Sequence, residues 1–195
     1  MKHMIVVLGG MLLATGAASG SPQGMGTAAP AAIQHSAYLS HRASALLTEI
    51  QKEAVGLLRN AETLGMFARN TQFSWQSHAG CVDRVKGHIN EVGERIAELH
   101  RIRDSVLPWQ QQAIATVTNY AAQVAVSTEA AIAKLNDNRN SVFLAEYREH
   151  LKTIDASSAN MKERLDKSLA YEKASRNSCN CMMNWSRRVT DRISG

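Results

Sequence analysis

From residue 82 to residue 99 the apolar side chains Val82, Val85, Ile89, Val92, Ile96 and Leu99 recur at alternating steps of three and four. A helix turns once in about 3.6 residues, so this spacing draws one apolar stripe along a helix and leaves its other faces polar. A strand would need a period of two. Three more ladders of the same kind follow. Leu39, Ala43, Leu46, Ile50, Leu57, Ala61 and Leu64 form a slightly broader one. Ile114, Val117, Ala121, Val124, Thr128, Ala131 and Leu135 form another, and Leu144, Tyr147, Leu151, Ile154, Ser158, Met161 and Leu165 the last. Charged residues such as Glu94, Arg95, Glu98 and Lys162 to Arg164 fall off the stripes, as a solvated face requires.

Four stripes must bury themselves against one another, so the pattern predicts an all-α fold. The punctuation divides it. Asn70 to Ser74 can end one helix and cap the next. Leu107-Pro108 disfavours helical geometry at residue 107 and suits proline to a first turn. Asn136 to Ser141 reads as a turn with Ser141 as an N-cap. Helices near 31–69, 75–105, 109–136 and 141–175 result. Their short connections make neighbours antiparallel, which gives an up-down-up-down four-helix bundle. The competing arrangement runs helices two and three as one rod kinked at Pro108. Ala115, Ala121, Ala122, Ala125, Ala130, Ala131 and Ala133 give helix three a small-residue face, expected to pack closely on a neighbour.

The N-terminal twenty residues carry a different pattern. Lys2 and His3 precede an apolar run from Met4 to about Ala14, and small residues follow to Ser21. This is the layout of a cleaved signal peptide over residues 1–20. A run of about ten residues is half of what a membrane span needs. Residues 21–30, SPQGMGTAAP, read as a flexible leader, residues 31–175 as the bundle, and residues 176–195 as a basic, cysteine-containing tail with a short helix of its own. The expectation is an exported protein, periplasmic or secreted, without a transmembrane anchor.

The chain has 22 basic and 17 acidic residues. Much of the excess sits in the tail, where Arg176, Arg187, Arg188 and Arg192 face Asp191 alone. A nucleic-acid binder would carry its basic surface on the folded body, so nucleic acid is not an expected partner. Met182, Trp185, Val189 and Ile193 fall on one face of a tail helix, with Arg187 and Arg188 largely elsewhere. A piece of this kind docks on a protein partner, lies on an anionic membrane surface, or folds back onto the open end of the bundle.

Motifs for chemistry are sparse. No Glu-x-x-His pair, C-x-x-C-H, P-loop, dinucleotide fingerprint or G-x-S-x-G elbow occurs. Long helices leave few loops on which to build an active site, and the reading is a non-enzymatic protein with no cofactor. One alternative keeps haem or a metal between helices. His78 extends the core stripe of helix two, His150 sits beside that of helix four, and both fall near one end of the bundle. Another alternative is a small apolar ligand beside the alanine-rich helix. Of the three cysteines, Cys81 is expected as a buried small side chain, roughly 30–40 Å from the tail pair and too far for a disulfide. Cys179 and Cys181 could form a strained C-x-C disulfide, bond between molecules in a homodimer, or take a soft metal ion. The leading functional expectation is a bundle that acts by protein–protein or envelope-surface interaction.

Overall fold

The structure, a computed structural model, describes the backbone of residues 29–70 and 72–193, and the side-chain surroundings of residues 34–178 apart from 71 and 141. It is all-helical. Four helices, α1 Ala29–Arg69, α2 Trp75–Ile102, α3 Pro108–Asp137 and α4 Ala145–Ile193, are joined by connections holding two short 3-10 turns, Arg103–Ser105 and Arg139–Phe143. No strand occurs among the described residues.

The ladders are the core. Every ladder position of α2 and α3 is buried, as are Tyr147 to Leu165 on α4 and Ala43 to Leu64 on α1. Leu39 is half-buried at the edge of the cluster. The two hydroxyls on the stripes are satisfied locally: Thr128 donates to the Val124 carbonyl at 2.7 Å, and Ser158 to that of Ile154.

Helix starts follow the punctuation with one exception. Ser74 caps α2 by accepting the Ser77 N–H at 3.4 Å. Pro108 opens α3, and Gln110 Oε1 accepts the Leu107 N–H at 3.0 Å. Ser141, however, does not cap α4. It lies inside the second 3-10 turn, α4 starts at Ala145, and Leu144, read as a core position, is 46% exposed just ahead of the helix.

Consecutive helices pack on one another and α4 returns to α1. Between α1 and α2 the partners are Arg42 with Glu98, Glu49 with Arg95, Glu53 with His88, and Asn60 with Arg84. Residue numbers rise along one helix as they fall along the other. Between α1 and α4, Ser44 meets Glu172 and Gln51 meets Asp166, both at 2.6 Å. Between α3 and α4, Gln123 meets Ser157 at 2.9 Å, and Lys134 pairs with Glu146. Helices α2 and α3 also touch, with His100 Nε2 3.2 Å from Thr118 Oγ1.

At Gly56 the α1 backbone faces the His88 side chain of α2. A Cβ there would lie 2.5 Å from Cε1 of His88, whose Nδ1 is held 2.8 Å from Glu53 Oε2. A helical Gly→Ala change ordinarily gains about 1 kcal/mol. Here Gly56→Ala is expected to gain nothing, because the methyl displaces His88 from Glu53. Added to His88→Ala it should recover the ordinary gain, and urea unfolding of the four chains of that cycle measures the difference.

Two expectations are corrected. The seven alanines expected to form one face of α3 do not share it: Ala121 and Ala131 are buried, whereas Ala115, Ala122 and Ala133 are exposed. Burial on α3 follows the larger ladder residues, and the outward alanines serve helix propensity instead. The tail is also not a separate short helix. Helix α4 runs unbroken for 49 residues through the expected boundary at 175, since neither glycine nor proline interrupts residues 145–193.

At about 1.5 Å per residue, the 41 and 49 residues of α1 and α4 outrun the 28 and 30 of α2 and α3. A polar clasp marks where they do so. Gln110, 1% exposed near the start of α3, donates from Nε2 to the Ser40 carbonyl at 2.7 Å and to Ser44 Oγ at 2.9 Å. Ser44 in turn donates to Glu172 on α4, which also pairs with Arg176.

Candidate functional site

At the end of the molecule that holds the α1–α2 and α3–α4 connections, His78 is 1% exposed, as its place on the stripe predicts. Its Nδ1 lies 3.2 Å from the hydroxyl of Tyr147, itself fully buried. Phe67 and Tyr147 meet the imidazole edge-on, with centroids 5.7 and 5.6 Å away. Phe73 stacks on Phe67 at 4.2 Å, and the Arg139 guanidinium covers Trp75 at 4.8 Å. The α4 group brought to His78 is thus Tyr147; His150, one turn further on, is half-buried. Cys81 is buried and free, and its thiol points to the Asn60 carbonyl at 3.3 Å. No group of three or more metal-ligating side chains occurs among the described residues.

Burial sets the proton chemistry of this cluster. It pushes the His78 imidazole below its ordinary 6.5, and it pushes the Tyr147 phenol and the Cys81 thiol above their usual values. The group therefore reads as a neutral, internally satisfied hydrogen bond rather than a poised nucleophile. Below about pH 6.5 the unfolded chain takes up a proton at residue 78 that the folded chain resists. Stability from this residue is complete above 6.5 and is lost as pH falls towards the lowered folded value, at up to about 1.4 kcal/mol per pH unit. Urea midpoints measured from pH 7.5 to 5 should therefore fall, and His78→Phe should flatten that slope.

A second place was not evident beforehand. On the outer side of α3 and α4 lies a groove of about 500 Å³. Its floor is Ala113 and Val117, both buried. Trp109 and Tyr171 meet edge-to-face at 6.2 Å at one end, and Tyr120 lines the other. Arg164 and Lys167 stand on the α4 side. Residues 109, 113, 116 and 120 repeat along one face of α3, and 164, 167 and 171 along one face of α4. That spacing was the available signal, although pairing the two faces needed the interhelical register.

The third place is the end beyond the clasp. Residues 34–38 of α1 are all exposed, with Tyr38 66% open, and so are residues 173–178 of α4. Cys179, Cys181, Trp185, Arg187 and Arg188 follow on the backbone of α4, but their side chains lie outside the described residues. No helix among the described residues is long and apolar enough to cross a membrane. Compared with protein-family models, curated proteins and solved structures, the chain matches none of them.

Proposed function

We propose that the chain is an exported, non-enzymatic protein, periplasmic or secreted, that folds as an antiparallel up-down-up-down bundle. It acts by engaging a protein partner through the end where α1 and α4 outrun the other two helices. The opposed numbering of the interhelical pairs supports the antiparallel order. Export rests on the signal-like pattern of residues 1–20.

The observation that carries the interaction reading is the surface beyond the clasp. Tyr38 on α1 is a large side chain, 66% exposed, at that end of the two longer helices, and Lys173 and Arg176 of α4 are exposed there as well. Tyrosine and arginine are enriched where proteins meet. The basic residues further along α4 favour a partner with an acidic face.

The test places a photo-crosslinking residue at Asn177 or Tyr38, and as a control at Glu94 on the outer face of α2, in protein exported by its own host. Discrete adducts from 177 and 38, absent from 94, with those from 38 lost on truncation after Ser175, are the expected result. Equal adducts from all three positions would remove the reading. Adducts only to lipid would move it to a membrane surface.

A further inference from the structure

We infer that the groove between α3 and α4 is a binding site for a small aromatic anion, a ring of one or two fused cycles carrying a carboxylate or sulfonate. Its volume of about 500 Å³ lies within the roughly 300–1,000 Å³ usual for small-molecule sites. The shape comes from small residues between large ones. Ala113 and Thr116 on α3 and Ser168 on α4 leave a hollow that Trp109, Tyr120 and Tyr171 frame.

Three aromatic rings around an apolar floor select a flat, apolar body, which gains edge-to-face or offset stacking on them. Tyr171 is 58% exposed although its ring meets Trp109, so a large aromatic surface stands open to the groove.

Charge selects the other half of the ligand. Arg164 and Lys167 line the hollow and no carboxylate does. Lys167 is already paired with Glu163. Arg164 has no ion pair among the described residues, which leaves its guanidinium open to grip a carboxylate through two parallel N–H donors. A neutral aromatic would leave that cation unused, and a small anion without a ring would leave the aromatic frame unused. The site therefore asks for both features in one molecule. It uses none of the surface beyond Glu172 and stands apart from the interaction reading.

Isothermal titration of the full mature chain with 2-naphthoate tests this, alongside neutral 2-naphthamide and ring-free acetate. The expected result is saturable one-to-one binding of 2-naphthoate in the micromolar range, with 2-naphthamide and acetate each at least about tenfold weaker. Arg164→Gln should cost about tenfold for 2-naphthoate and leave 2-naphthamide unchanged, since a charge-assisted pair is lost from one ligand and not the other. Tyr171→Ala should weaken both aromatic ligands. Both residues are exposed on α4, so thermal midpoints within about 2 °C of the parent chain are expected, and the same titration with Lys152→Gln controls for net charge. Equal affinity for 2-naphthoate and 2-naphthamide would overturn the proposal. So would an unchanged 2-naphthoate affinity in Arg164→Gln, or binding seen only at millimolar ligand.

Discussion

Replacing Tyr147 by alanine is expected to cost about 3–5 kcal/mol of unfolding free energy, the range for removing a large buried aromatic side chain. Tyr147 is fully buried, joins α4 to His78 on α2, and belongs to the aromatic group that closes this end of the molecule. Truncation leaves a cavity and also strips His78 of its hydrogen-bond partner. Tyr147→Phe separates the two losses. It keeps the ring and removes only the hydroxyl, and should cost about 1–2 kcal/mol, as for a buried polar atom left without a partner. Urea unfolding followed by far-ultraviolet circular dichroism measures both. A cost below about 1 kcal/mol for Tyr147→Ala would mean that α4 does not seat against α2 as described.

The second large effect is expected at the opposite end. Gln110→Leu should cost about 2–3 kcal/mol although it exchanges a polar side chain for an apolar one of similar size. Three groups lose a partner at once: the Leu107 N–H, the Ser40 carbonyl and the Ser44 hydroxyl. The bond to Ser44 is buried and the other two are part-buried; each loss is costly to the extent that water cannot replace the partner, and the three are not independent of one another. Gln112→Leu, two residues along on the exposed side of α3, is the matched control and should stay within about 0.5 kcal/mol. If the two variants unfold alike, the clasp contributes nothing and the relative seating of α1, α3 and α4 is set by the apolar ladders alone.

These two residues show what could be read beforehand and what could not. Period alone identified the helices and nearly the whole core, because a stripe that must be buried reveals itself in spacing. His78 could be assigned to the interior on those grounds. Its partner could not, since choosing Tyr147 over His150 needs the depth at which α4 slides along α2. Gln110 continues the α3 ladder four residues before Ile114, yet a glutamine at such a position reads as surface until its three partners are known. Leu144 erred in the other direction: the stripe was extrapolated past the true helix start, where a 3-10 turn rotates the side chain outward. The boundary at residue 175 was drawn on composition, but helix continuation depends on the absence of a breaker, and none was there. The groove of Trp109, Tyr120 and Tyr171 lay hidden because neither helix forms it alone.

The clasp at Gln110, Ser44 and Glu172 has a consequence for how such a chain can change over time. On one side of it nearly every inward residue answers to several neighbours, so a substitution must satisfy the packing of other helices. On the other side, from Lys173 to Ser178, every described side chain faces outward, and a substitution answers only to helix propensity and to whatever it meets. The molecule thus divides into a chassis constrained by packing and a more freely editable handle joined on one continuous helix. Related chains built on this plan should agree along the ladders and at the clasp, and diverge beyond Glu172, each copy adapting its grip without reopening the question of how it folds.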